Sequence, residues 1–447
     1  MVTFKARART LDLLGRQQIA GIPTAISELF KNAHDAYADN VEVDYYKTDK
    51  LFVLRDDGYG MTMDEFSNRW LTLGTESKIE TQSNLKDFQK YKNKPKRTIM
   101  GEKGIGRLAI AAIGPQVLVM TRAKRNDKLH DIIAAFVNWK LFEIPGIDLQ
   151  DITIPIKIFK DGKIPNKSDI EKLYQEVLSN INHLIENKKI SKEKAEEIIR
   201  VVKEFEINPD ELDKILKKPS LRNSGGVHFF IKPVYETLQM DIDGEENDAT
   251  KASPLIKMLV GFTNTMTSDK DISNIKTAFR YHETDDDSID LIDEQEFFTS
   301  QEFCSADHHF TGEFDEYGRF KGTVTIYGEK TISHTINWKK GLTQKTMCGP
   351  FKINVAYIQG QPSQSKLPPS EHARIKAKCD KLGGLYIYRD GIRILPYGDS
   401  DYDFLDIEKR RTLKASWYFF SYRRMFGVID ISKNSNNNLI EKAGREG

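Results

Sequence analysis

Cysteine is scarce in this chain: Cys304, Cys348 and Cys379 are widely spaced and none stands in a C-x-x-C pair. That excludes a disulfide framework and a structural zinc site of the usual spacing, and a cytoplasmic, reducing setting is expected. Long apolar runs are missing too, with nothing near the ~18 residues of a membrane span. Lys5, Arg7 and Arg9 near the start precede no apolar stretch of signal-peptide length. Net charge is almost nil, with Lys+Arg 67 against Asp+Glu 66 for a balance of +1. No global field therefore steers the chain toward nucleic acid or an anionic membrane, and any basic surface must be local. There is no internal repeat, and low complexity is confined to Asn434 through Asn438. What is present is ordinary globular composition, 39% hydrophobic over 447 residues, enough for two or three cores.

Along the chain, Ile26, Leu29, Phe30, Ala33 and Ala36 recur at helical spacing after Pro23 and Thr24, which predicts an amphipathic helix. Residues 41–46 and 51–54 read as a strand pair about a polar turn. From residue 74 to 106 Lys, Asn, Gln, Thr and Ser accumulate, the composition of a long functional loop or lid. Helical character returns at 107–113, residues 116–121 form a strand, and the first domain is expected to close near 125. The second domain, 126–447, is expected to hold strands at 132–137, 152–159 and 227–233. A helical insertion at about 166–220 is read as a solvated spacer or partner-docking arm. Residues 312–327 read as paired strands, and 384–398 as a hairpin turning at Asp390-Gly391.

Three short patterns carry chemistry, and their ordered occurrence is more specific than any alone. Glu28, Asn32 and Asp35 fall at i, i+4 and i+7, on one helical face. A carboxylate there can polarise water for attack on phosphorus, and a carboxamide oxygen one turn on suits Mg2+. Taken alone, the stripe equally fits a solvated helix face. Asp56-Asp57-Gly58-Tyr59-Gly60-Met61 follows a strand, so a carboxylate could accept from an exocyclic amine while glycines admit a flat ring. Alone, it is an acidic turn. Met100-Gly101-Glu102-Lys103-Gly104-Ile105-Gly106-Arg107 opens a helix after the polar loop, where backbone N–H groups can hold phosphates. It is neither a Rossmann turn, because no strand immediately precedes it, nor a P-loop.

Together the three resemble the N, G1 and G2 boxes of the GHKL superfamily. Its members include gyrase-type topoisomerases, ninety-kilodalton heat-shock chaperones, MutL, MORC proteins and histidine kinases. The resemblance implies an α+β chain. An N-terminal Bergerat α/β sandwich, with helices on one face of a mixed sheet, would be followed by an α/β transducer-like domain. It implies Glu28 as general base, Asn32 as Mg2+ ligand, Asp35 near the nucleotide and Asp57 as adenine anchor. Gly60 and Met61 would line the base, Gly101, Gly104, Ile105 and Gly106 would cradle the phosphates, and Thr121 would join the adenine network. Residues 70–78 resemble a MORC-like segment whose Lys78 reaches a phosphate. A transducer cation is also implied. Arg445 and Lys442 lie in a closing stretch like the chaperone segment that ends in arginine and glutamate, and Lys366 in Gln364-Ser365-Lys366 resembles a topoisomerase loop.

The expected function is an ATP-binding, slowly hydrolysing switch that uses ATP and Mg2+ and closes as a homodimer, with an N-terminal arm crossing between subunits. The chain stops at Glu446-Gly447, directly after a motif-like stretch, so an effector domain or partner beyond residue 447 is expected. The rivals are a non-hydrolysing nucleotide-binding module and a histidine-kinase-like kinase, for which His34 is the only histidine close to the motifs. DNA is a further candidate partner, through residues 86–97 or Lys409-Arg410-Arg411.

Overall fold

The computed structural model describes residues 6–73, 94, 97–101, 106–216, 218–244, 251–267, 275–284, 287–293, 296–338 and 344–439. The chain divides into two compact units, residues 1–240 with 275–291, and residues 241–274 with 292–447.

The first unit is built on an eight-stranded mixed sheet in the order β5-β4-β3-β6-β2-β1-β7-β8. Its strands are β1 (Asn40–Tyr46), β2 (Leu51–Asp56), β3 (Gln116–Arg125), β4 (Lys128–Asn138), β5 (Ile156–Phe159), β6 (Gly226–Ile231), β7 (Lys276–His282) and β8 (Ser288–Asp290). Only β1 and β7 run parallel among these pairs. β6 lies between β2 and β3 at the centre, so the domain does not close near residue 125 as expected. Strands from residues 226–290 complete the same sheet. Alternation along each strand reads only half of such a pairing; the partner more than a hundred residues away carries the other half.

Register assigns side chains to the two faces. Val43, Leu54, Phe229 and Val119 share one face, with Asp56 and Thr121 at its strand ends. Glu42, Asp44, Arg55, His228, Met120 and Phe136 share the other. The helical insertion covers this second face. It consists of helices Lys167–Glu186, Lys192–Lys203 and Pro209–Leu216. Phe205 meets Phe136 edge-on at 4.8 Å, and Arg55 donates to the Pro219 carbonyl at 2.9 Å. Arg122 donates to the carbonyls of Leu221 and Arg222. The insertion therefore shields this face and belongs to the first unit rather than to the second, a correction to the expected placement. The reason is physical: uncovered, this face would leave Leu118, Phe136 and Phe230 in water.

The covered face also holds charge. Arg55 pairs with Asp44 at 3.0 Å, and Asp44 receives His282 at 2.9 Å. Arg280 pairs with Glu42 at 2.7 Å. Burial pushes the Asp44 carboxyl up, but His282, Arg55 and Arg280 together hold it below its ordinary range.

On the opposite face lie α1 (Arg9–Leu14), α2 (Ile22–Asp35) and the 3-10 turn Gly106–Ala112, which packs on α2. Pro23 starts α2, and Ala25, Ile26, Leu29 and Phe30 are buried along it. Residues 6–18 lie against their own unit: Ala8 N–H donates to the Ile147 carbonyl at 2.9 Å, and Arg7 pairs with Asp148 at 3.0 Å.

The second unit carries a seven-stranded sheet in the order β11-β10-β9-β12-β15-β13-β14. Its strands are β9 (His308–Phe314), β10 (Phe320–Ile326), β11 (Lys330–Ile336), β12 (Phe351–Tyr357), β13 (Gly384–Arg389), β14 (Ile392–Ile394) and β15 (Met425–Ile431). Only β13 and β15 pair in parallel. The helix Pro369–Leu382 buries Ile375, Cys379 and Leu382 in a core with Phe297, Phe298, Tyr386 and Phe426. The hairpin read at 384–398 is present, with Asp390 and Gly391 both at positive φ.

Candidate functional site

In α2 the apolar positions turn inward while Glu28, Asn32 and Asp35 stay half-buried on one stripe. That stripe faces the turn opened by Gly106. A Cβ at Gly106 would lie 3.3 Å from Glu28 Oε2 and 3.7 Å from Asn32 Nδ2. The first and third motifs thus meet at one point.

Asp35 holds the glycine-rich loop. Its two carboxylate oxygens accept the N–H groups of Met100 at 2.8 Å and Gly101 at 2.9 Å, tying the glycine-rich loop to the helix. Lys31, which the sequence motifs do not single out, is 4% exposed and donates to Glu28 Oε1 at 3.0 Å. Its position three residues after Glu28 was the available signal. His34 is 2% exposed, so it offers no surface to a phosphorylated partner.

At the second motif the two neighbouring aspartates take different partners. Asp57 Oδ1 accepts the backbone N–H groups of Asp39 and Asn40 at 2.7 and 2.9 Å, and Oδ2 accepts Asn40 Nδ2 at 2.6 Å. Asp57 therefore clamps the link between α2 and β1. Asp56, on the face shared with Leu54 and Thr121, is 4% exposed. Its Oδ1 accepts Gly58 N–H at 2.9 Å and Val227 N–H at 3.3 Å, while Oδ2 has no hydrogen-bond partner among the described residues. Burial pushes this carboxyl up to about 7; the Gly58 N–H opposes, and the neighbouring Asp57 charge adds to the rise. The alternation Phe52, Leu54, Asp56 could have found it, since period two puts Asp56 on the apolar face.

The loop after Asp56 is held from several sides. Thr121 Oγ1 accepts Met61 N–H at 2.9 Å and donates to the Gly226 carbonyl at 2.9 Å, joining the second motif to β6. Arg125 donates to the carbonyls of Tyr59 at 2.6 Å and Gly60 at 3.0 Å and pairs with Glu65. Gly60 has φ +56, and a Cβ there would lie 1.9 Å from the Arg122 carbonyl oxygen. Gly226 has φ +147, and a Cβ there would fall 2.0 Å from the Asp56 carbonyl oxygen. Both close approaches admit only glycine. Arg107, just past the third motif, is half-buried and donates to the Arg69 carbonyl at 2.6 Å, and desolvation lowers its pKa.

Lys78, Gly104, Ile105, Lys442 and Arg445 lie outside the described residues. Lys366 lies in the second unit. Its backbone N–H donates to Asp307 Oδ1 at 2.8 Å, and Ser365 Oγ donates to the same oxygen at 3.0 Å. Among the described residues no cluster of three or more His, Cys, Asp or Glu could hold a metal. The glutamate and carboxamide of α2 therefore remain as hard oxygen donors, a set that suits Mg2+, which commonly takes one or two protein oxygens and phosphate for the rest.

A helix carrying a carboxylate and a carboxamide, a buried carboxyl at a strand end and a glycine-rich turn, over a mixed sheet, define an ATP-binding domain of the GHKL class. The comparisons give the family: residues 21–154 match the model described as Histidine kinase-, DNA gyrase B-, and HSP90-like ATPase, and this part of the chain belongs to the GHKL ATPase superfamily. "Chaperone protein HtpG" of Wigglesworthia glossinidia brevipalpis is 25% identical over 142 residues, which is 32% of this chain and 22% of that protein. The match thus spans less than a quarter of that relative's length. A solved structure described as "Crystal Structure of N terminal domain of a DNA repair protein" covers 94% of this chain and 86% of that one, at 9% identity and a TM-score of 0.43. That likeness is too distant to argue from. No helix among the described residues is long and apolar enough to cross a membrane.

Proposed function

We propose that this chain is a Mg2+-dependent ATP hydrolase of slow turnover whose nucleotide state drives a conformational switch. The observation that carries the reading is the convergence of Glu28 and Asn32 on Gly106, in a unit that also holds a buried Asp56 with one oxygen left over. Asp56 accepts the exocyclic amine of adenine, in place of Asp57, and Gly60, Met61 and Thr121 shape the base pocket. Backbone N–H groups at Gly104 and Gly106 would hold the phosphates, the Gly101 N–H being given to Asp35, and Asn32 would offer its carboxamide oxygen to Mg2+, which would supply charge neutralisation there. Glu28, oriented by Lys31, takes a proton from water as the oxygen bonds to the γ-phosphorus and the bond to ADP breaks.

The second unit acts as a transducer that supplies a cation to the γ-phosphate. Arg445, Lys442 and Lys366 are the candidates, and Lys366 has its loop fixed by Asp307, while Lys78 of the first unit reaches a phosphate from its own loop. Closure as a homodimer, a MORC-like or chaperone-like division of labour, and an effector or partner outside this chain complete the reading. The buried His34 disfavours the kinase alternative.

Nucleotide affinity and phosphate release test it. Wild type should bind and slowly hydrolyse ATP, Glu28→Ala should bind without turnover, and Asp56→Asn should lose binding while Asp57→Asn keeps it. Loss of hydrolysis of about 10²-fold or more is expected for Glu28→Ala. An unchanged rate in that variant would overturn the assignment.

A further inference from the structure

Eight consecutive residues of the second unit, from Leu413 to Phe420, are exposed, and four of them are aromatic. Trp417 is 81% exposed, Tyr418 44%, Phe419 57% and Phe420 43%. Four neighbouring rings, each more than two-fifths exposed, mark a surface with a use.

The segment is not a loose tail. It leaves the helix Ile407–Leu413 and is pinned at its far end, where Ser421 donates to Glu408 and the Tyr422 hydroxyl donates to the Tyr402 carbonyl at 3.0 Å. Phe420 meets Tyr357 edge-on at 4.9 Å and Phe419 at 5.4 Å.

Lys414 lies 5.7 Å over the Trp417 ring. Lys409 and Arg411 are matched by Asp406 and Glu408, but Arg410 and Lys414 have no acidic partner among the described residues. In a chain of net charge +1 this excess is local.

We infer that Trp417–Phe420, with Arg410 and Lys414, form a binding surface for single-stranded nucleic acid. Ring faces accept bases by stacking whatever the sequence, and the flanking cations neutralise phosphates. Phe419 and Phe420 stand at 84° to one another and give separate faces rather than one apolar plane, and the segment is not a helix, so it lacks the continuous apolar side that an interfacial membrane element needs. A second copy of the same surface would bring like charge against like. In the other basic stretch, Arg97 is 6% exposed and donates to the Ala38 carbonyl at 2.7 Å.

Fluorescence anisotropy with a labelled oligothymidylate of about 20 nucleotides tests this on the full chain, beside a duplex of the same length and vesicles of phosphatidylserine and phosphatidylcholine. Wild type should bind the single strand in preference to the duplex and quench tryptophan emission. Trp417→Ala with Phe419→Ala should weaken binding about tenfold or more. Arg410→Ala with Lys414→Ala should flatten the salt dependence by roughly 0.7 in log–log slope for each phosphate no longer neutralised. The replaced side chains are exposed and outside the nucleotide site, so thermal stability and ATP affinity should not change. Three results would each overturn the inference: no single-strand binding at low salt, affinity indifferent to the ring replacements, or capture by vesicles and not by the oligonucleotide.

Discussion

At the scale of residues, Asp56 and Asp57 are neighbours with opposite work. One keeps a buried carboxyl in reserve, and the other spends both oxygens on the chain after α2. The raised Asp56 value has a sign that can be checked. The folded carboxyl keeps its proton up to about 7 while an ordinary one releases it near 3.8. Between those values the folded state binds more protons, so the Asp56 contribution makes the fold less stable as pH rises through the window. ATP affinity should move the other way, because the ionised carboxylate is the better acceptor for an amine. Calorimetric titration should show affinity falling as pH is lowered from about 8 to about 6, with one proton released on binding. A flat profile would detach Asp56 from the nucleotide. Both aspartates were visible in the sequence, and strand alternation pointed to Asp56. Choosing between them needed the partners of each oxygen.

At the scale of elements, the helical stretch was legible as helix because its apolar residues keep the 3.6-residue period. What it covers was not. Glu/Lys spacing on its outer side suggested a solvated arm, yet Ile170, Leu173, Val177 and Phe205 are buried, and Phe205 seals Phe136 on the sheet. Phe205→Ala should therefore cost about 3–5 kcal/mol of stability in urea unfolding while leaving the affinity for nucleotide unchanged at temperatures where the protein is folded. A loss well under ~1 kcal/mol would restore the reading of a dispensable arm. The α2 motif was the most legible element, because Glu28, Asn32 and Asp35 lie within two turns and helix geometry alone aligns them.

At the scale of the molecule, the ATP-binding unit cannot end near residue 125, because β6 stands between β2 and β3, and β7 pairs along β1. A fragment cut there would leave two open edges in the middle of the sheet. It should be unfolded or aggregated by circular dichroism and proteolysis, whereas a fragment ending near residue 291 retains every strand of the first sheet. A soluble, cooperatively folded 125-residue fragment would contradict this. The sequence by itself determined the chemistry of the three motifs, the strong helices and the hairpin at Asp390-Gly391, since each depends on residues close enough for backbone geometry to bring together. Only the tertiary structure decided where the first unit ends and which face the insertion shields. Those depend on pairings and burial between segments distant in the chain, where local periodicity carries no information about the partner.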